Sequence, residues 1–228
     1  MVRHTGTYRA YAAIEARRQA LLGSPASISV TDFGAGSHTG AGTQRRVADI
    51  ARTAAKPPHL AQLLFRLANY FRPATILELG TSLGLTTAYL AAADSHHRVV
   101  TFEGCPNVAA VARETFAALQ LNNVDVIEGN IDRTLAPALA AVPGRVDFAF
   151  FDGNHRYEPT LRYFELCLAH RTDDSVFVFD DIHWSVEMER AWEVIKAHPD
   201  VTITVDLFYV GLVFFRKGQP KQHFWLRT

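Results

Sequence analysis

The chain has 228 residues, 48% hydrophobic and 20% charged, the balance of a folded protein able to bury a core. Lys and Arg number 23 and Asp and Glu 23, so no net charge favours nucleic acid or an anionic membrane. Two distant cysteines, Cys105 and Cys167, exclude a disulfide scaffold and a cysteine zinc site, and no apolar run reaches the roughly 18–20 residues of a membrane span.

Met1 to Gly23 reads as a polar amphipathic helix without the apolar centre of a signal peptide, so the expected location is the cytoplasm. Residues 1–72 carry helical patterns near 7–22, 44–53 and 58–71, split by a Gly-, Ser- and Thr-rich loop from Gly23 to Thr43. They are too poor in large apolar residues to bury a core alone, so they are expected to form a helical cap on the domain at 73–228. Within the loop, Asp32-Phe33-Gly34 reads as a turn or as a lid over a site.

From Thr75 the pattern becomes regular. Five short apolar runs, Thr75–Leu79, Arg98–Phe102, Val124–Glu128, Val146–Phe151 and Ser175–Phe179, alternate with stretches of helical spacing. This predicts an α/β fold, doubly wound around a mostly parallel sheet. Val201–Phe208 and Gly211–Arg216 stand too close together for a crossover helix and should form a C-terminal antiparallel hairpin, completing seven strands.

Two glycine-containing segments compete for a ligand-binding turn, Ile28–Ser37 and Ile76–Thr87. Only the second is followed by a helix and then a strand ending in an acid, Glu103, about 20 residues on. Its glycines, Gly80 and Gly84, are spaced GxxxG, unlike the GxGxxG that seats a pyrophosphate, and Glu78 would repel a dinucleotide. An acid there tolerates a ligand carrying a sulfonium and an ammonium.

At ELGTSLGLTT, with Glu103 and the terminal hairpin, the sequence resembles class I S-adenosylmethionine-dependent methyltransferases. The resemblance implies that Glu78, Gly80, Ser82, Gly84 and Thr86 line the methionine end of the cofactor. Glu103 would accept hydrogen bonds from the ribose hydroxyls, and Gly129-Asn130 would lie near the adenine.

Strands four and five end in Asp152-Gly153-Asn154-His155 and Asp180-Asp181-Ile182-His183, at the same sheet edge as Gly80. Three carboxylates there repel unless they share a cation or a proton, and Mg²⁺ takes such oxygen ligands. Ser185 can cap the following helix, which leaves the Asp pair for other work. The pattern resembles the metal-dependent O-methyltransferases of the catechol and caffeoyl-CoA type. Those carry an Asp after strand four, an Asp-Asn pair after strand five, and a lysine three residues past the first Asp. Here the pair is Asp180-Asp181 and His155 stands at the lysine's place. DGNHRYE also resembles a bacterial methyltransferase branch with DGxHxYE.

The resemblance thus implies a divalent cation such as Mg²⁺ on Asp152, Asp180 and Asp181, with His155 as base. Without an ion, the acids, Asp152 included, would order the sulfonium of the cofactor. His183 and Trp184 are weaker candidates, Trp184 as a wall of the acceptor pocket. The expected function is O-methylation of a small-molecule hydroxyl. The alternatives are a metal-free enzyme acting on nitrogen or a macromolecule, and a non-catalytic cofactor-binding protein. Neither nucleic acid nor a membrane is expected as a partner, although Arg45-Arg46 keeps the former open, and a homodimer is left open.

Overall fold

The computed structural model describes residues 8–31, 43–141 and 145–226. Asp32, Phe33 and Gly34 lie outside them. Helix α1 (Arg9–Leu22) precedes an antiparallel pair, β1 (Ser27–Val30) with β2 (Thr43–Arg46), and then α2 (Val47–Thr53). The helical pattern expected from residue 44 therefore starts late. Gln44 and Arg45 pair with Ser29 and Ile28, so their backbone groups are satisfied in an extended chain first. Helix α3 (Pro58–Phe71) begins on a proline, where the missing N–H has no helical partner to lose.

Five parallel strands follow: β3 (Thr75–Leu79), β4 (Arg98–Glu103), β5 (Val124–Glu128), β6 (Val146–Phe151) and β7 (Arg171–Asp180). Between them lie α4 (Leu85–Ala91), α5 (Pro106–Ala118), α6 (Ile131–Ala141) and α7 (Tyr157–Leu168). Then come α8 (Val186–Ala197), β8 (Ile203–Asp206), β9 (Val210–Phe214) and β10 (Gln222–Trp225). As expected, Ser185 caps α8, its Oγ accepting from the Met188 N–H at 3.2 Å.

The main sheet has eight strands in the order β10-β8-β9-β7-β6-β3-β4-β5, with β9 antiparallel to both β7 and β8. The expected doubly wound fold and terminal hairpin are present, with one strand more. β10 pairs parallel to β8 at the edge, and all four of its residues are exposed, so no alternation of apolar and polar residues marks it.

β3 is buried along its whole length, which is why it reads as a continuous apolar run. Leu77 and Leu79 pack with Leu135, Phe164 and Trp192 from α6, α7 and α8. On the other face Ile76 packs with Leu64 and Leu67 of α3 and Leu90 of α4. Tyr11, Ile14 and Leu21 of α1 share a third cluster with Leu85, Tyr89 and Val108, so the N-terminal helices lie against α4 and α5. β3 stands between β4 and β6, and the order of the chain reverses there. Ligands of doubly wound sheets bind at that switch, beyond the carboxyl ends of the strands. Among the described residues no helix is long and apolar enough to cross a membrane.

Candidate active site

The turn after β3 is held by its neighbours. The N–H groups of Gly80 and Thr81 donate to the Phe102 carbonyl at 3.1 and 3.0 Å. The Ser82 N–H donates to Glu103 Oε2 at 2.9 Å, and the Cys105 N–H donates to Oε1 at 2.9 Å. Both oxygens of Glu103 are thus fixed by backbone amides at the end of β4. Ser82, Asn154 and Asp181 all adopt positive φ, near 50°, a conformation side-chain-bearing residues avoid unless their surroundings impose it.

A cavity opens here between the sheet edge and the N-terminal hairpin. Gly80, Ser82, Glu103 and Asn130, four of the residues expected to bind the cofactor, line it. Asn154 and Tyr163 line the same cavity, and Val30, Thr31 and Arg45 close it from the β1–β2 side. Arg45, which kept a nucleic-acid surface open in the sequence, is a wall of this cavity. Asn130 also steadies the start of α6, its Oδ1 accepting from the Asp132 N–H at 2.9 Å. Tyr163 donates to Asp132 Oδ1 at 2.6 Å, which fixes its ring.

Five expected cofactor residues stand outside this lining: Asp152, which lines the adjoining cleft described below, and Glu78, Gly84, Thr86 and Gly129. Glu78 is fully buried beneath the turn, its Oε2 accepting from Thr87 and, at 2.7 Å, from Thr101, while Oε1 has no partner among the described residues. Burial pushes its carboxyl up to about 8. Gly84 faces inward, where a Cβ would strike the Phe116 ring, so its absent side chain serves the packing of α4 on α5. Thr86 is buried in the first turn of α4, and Gly129 shapes the exit from β5, its N–H donating to the Glu103 carbonyl at 2.9 Å.

A second cleft continues from the cavity, sharing Gly80, Ser82 and Glu103 with it and adding Lys56, Asp152, His155 and Asp181. Asp152, His155 and Asp180 each offer a ligand atom within 4.8 Å of the others. Asp181, expected with them, is not in that group, although it lines the same cleft. The backbone reverses at Asp181, whose N–H donates to the Tyr209 carbonyl at 2.7 Å. His155 Nε2 lies 3.5 Å from Asp152 Oδ1.

The residue that sequence reasoning missed is Lys56. Its Nζ lies 3.0 Å from Asp152 Oδ1 and also bonds Asp180 Oδ2. The side chains are 13% exposed for Lys56, 13% for Asp152 and 1% for Asp180. Burial pushes the Lys56 ammonium down, but Asp152 and Asp180 more than offset it and hold the group firmly charged. Burial and the neighbouring Asp152 hold the Asp180 carboxyl well above the usual range. Burial acts on Asp152 too, but Lys56 and His155 outweigh it and keep this carboxyl low. A lysine before two prolines carries no signal of its own, and it lies 124 residues from Asp180 in the sequence.

S-Adenosylmethionine fits the cavity residues. Glu103 presents a rigid acceptor at a strand end, and Gly80 leaves a space that a Cβ could not share with the Asp152 backbone. A divalent ion does not fit the expected acids as they stand, because the space between Asp152 and Asp180 is spanned by an ammonium.

Residues 77–182 match the family model described as a methyltransferase domain. No curated protein matches the sequence. Among solved structures, the chain is similar to the O-methyltransferase TomG from Streptomyces achromogenes, in complex with S-adenosylmethionine. Identity is 24% over 72% of this chain and 82% of that one, with a TM-score of 0.61. An O-methyltransferase from Bacillus cereus bound to S-adenosylhomocysteine is 20% identical over 92% of both chains, with a TM-score of 0.66. An S-adenosylhomocysteine-bound methyltransferase from Podospora anserina is 16% identical over 93% of this chain and 90% of that one, with a TM-score of 0.67. The matched segment runs from β3 through Glu103 and Asp152 to just past the end of β7 and supplies most of the cavity lining, so the part of the chain that builds the site is the part that is similar to a methyltransferase domain.

Proposed function

We propose that this enzyme methylates a hydroxyl oxygen of a small molecule. The observation that carries the reading is the imidazole of His155 beside the Asp152 carboxylate, in a cleft continuous with the cofactor cavity. Two of the similar structures, those from Streptomyces achromogenes and Bacillus cereus, are O-methyltransferases, which supports it.

Bound S-adenosylmethionine supplies an electrophilic sulfonium methyl, whose C–S electron pair returns to sulfur as the acceptor oxygen bonds the carbon. The chain's own residues do the rest. Glu103, fixed by the amides of Ser82 and Cys105, holds the ribose hydroxyls, and Asn130 and Tyr163 bound the far end of the cavity. With an N–H at Nε2 directed to Asp152, His155 keeps its lone pair on Nδ1 and accepts the hydroxyl proton there. Trp184, its ring 6.1 Å from that of His155 and 65% exposed, offers a flat apolar surface to the acceptor. The neighbouring loop is tied to Asp181 through the Tyr209 carbonyl and carries the exposed Phe208 ring, stacked 5.5 Å from that of His183. His183 is turned elsewhere, its Nε2 2.8 Å from Asp206 Oδ2. The acceptor this site suits is therefore a hydroxyl on a flat, apolar body. Alignment in a closed site supplies most of the acceleration.

Two measurements test the reading. Calorimetry should detect S-adenosylhomocysteine binding and no NAD binding. Labelled S-adenosylmethionine should then pass its methyl to simple phenols or catechols, with the product an ether by mass spectrometry. NAD binding with no response to S-adenosylhomocysteine would sink the assignment, and methylated amines with no ethers would overturn the choice of oxygen.

A further inference from the structure

We propose that Lys56 is the resident cation of this active site: its ammonium holds the place between Asp152 and Asp180 that a divalent ion would need, so the enzyme binds its acceptor without an added metal. The inference rests on the methyltransferase reading and deepens it.

The geometry is that of a bridging cation. Lys56 Nζ contacts one oxygen of each acid, 3.0 Å from Asp152 Oδ1 and in direct contact with Asp180 Oδ2. Mg²⁺ requires near-octahedral oxygen ligands about 2.0–2.1 Å away and keeps several waters. Ion and ammonium cannot both occupy the space between these carboxylates. Asp181, the third acid expected to complete the set, lies outside the cluster, so an ion would have to use Asp152, Asp180 and His155, and the ammonium already holds both of these acids.

Displacement is also opposed locally. Lys56 precedes Pro57, which restricts its backbone to extended conformations, and Pro58 opens α3 directly afterwards. The side chain therefore projects from a stiff joint between α2 and α3, with α3 packed on the sheet through Leu63, Leu64 and Leu67. Withdrawing the ammonium would leave two carboxylates facing each other, one of them 1% exposed, a costly arrangement.

An ammonium has three N–H donors. Among the described residues the two acids take two, and Lys56 lines the cleft that His155 also lines, which leaves the third donor for a ligand bound there. That N–H is placed to hold the acceptor oxygen, the orienting task a metal would perform. A lysine here is a point charge with movable donors, so it selects a single oxygen and has no use for a chelating pair.

The test compares wild type with Lys56→Ala, both loaded with S-adenosylhomocysteine, using Mn²⁺ binding followed by electron paramagnetic resonance and by thermal transition. Wild type should bind no stoichiometric Mn²⁺ and show no shift. Lys56→Ala, with both carboxylates uncovered, should take up one equivalent. At a hundredfold excess over its dissociation constant, Mn²⁺ should raise the variant's transition by about 5–10 °C. Stoichiometric Mn²⁺ in wild type overturns the proposal, and so does silence in both proteins, which would mean that ion and ammonium share no site. Should Lys56→Ala fail to fold, Lys56→Gln, neutral but still a donor, is measured in its place with the same expectations. Failure of S-adenosylhomocysteine to bind either protein would count against the methyltransferase reading, and the Mn²⁺ measurements on the unliganded proteins would still decide the role of Lys56.

Discussion

The backbone carbonyl of Asp152 lies against the α-carbon of Gly80, so close that a Cβ built there would overlap its oxygen. Gly80 has φ +111°, a conformation open to glycine, and the Asp152 N–H donates to the Leu79 carbonyl at 2.9 Å. The turn below the cofactor and the loop carrying Asp152 and His155 are therefore locked as one unit. Gly80→Ala should cost about 2–4 kcal/mol by denaturant titration, from strain and overlap together. It should also weaken S-adenosylhomocysteine binding. A variant as stable as wild type, with full affinity, would show that the two loops can part.

Glu103 accepts a backbone amide on each oxygen, which holds its carboxylate rigid at the end of β4, on the wall of the cavity. Glu103→Gln preserves the shape and replaces one oxygen by an N–H that would face an amide N–H. Calorimetry should show S-adenosylhomocysteine affinity reduced about 10–150-fold, the equivalent of roughly 1.5–3 kcal/mol for one charged hydrogen bond. Unchanged affinity would remove Glu103 from the ribose site.

The strands and the Gly80–Glu103 pair were legible because they obey local rules. A buried parallel strand is a continuous apolar run, and an acid at the end of the second strand follows the turn at a fixed interval. Ser185 could be assigned its cap from the residue type alone, which Met188 N–H confirms. Lys56 was not legible, since its importance comes from a contact across 124 residues and from no periodicity. Glu78 misled for the opposite reason. Its place at a strand end suggests exposure to ligand, yet the alternation of β3 turns it toward Thr87 and Thr101 inside the sheet layer. β10 was missed because four exposed residues at a sheet edge leave no burial pattern to read.

Glu78 gives the protein a pH dependence whose sign can be worked out. Burial raises its carboxyl to about 8 in the folded chain, from an ordinary value of 4.5. Between these values the unfolded chain releases the proton and the folded chain keeps it, so this group lowers stability as pH rises through that window. From about pH 5 to pH 8 its contribution falls by roughly 3–4 kcal/mol, by the conversion of 1.36 kcal/mol per unit. Glu78→Gln, which can still accept from Thr87 and Thr101, should flatten this decline. Denaturant titrations of both proteins at three pH values check it, and parallel declines would show that Glu78 ionises in the folded chain as readily as in the unfolded one.

The His155 and Trp184 rings meet edge to face, 6.1 Å apart, and the proposed chemistry gives them separable tasks. The imidazole handles the proton, a task confined to the transition state. His155→Gln should therefore lower kcat by about 10²–10⁴-fold while leaving KM for the acceptor and S-adenosylhomocysteine affinity nearly unchanged. The indole offers surface to the bound acceptor in ground state and transition state alike. Trp184→Ala should raise KM for an aromatic acceptor by roughly 5–30-fold, equivalent to about 1–2 kcal/mol of lost apolar contact, with little change in kcat. Trp184 is 65% exposed, so its truncation opens no cavity in the core and should not disturb the melting transition. Initial rates with a simple catechol and labelled S-adenosylmethionine separate the two constants. If His155→Gln changed KM alone, the histidine would be a binding contact and the proton would leave by another route. If Trp184→Ala lowered kcat as much as His155→Gln does, the indole would be setting the reacting geometry, and the acceptor would have to lie across both rings.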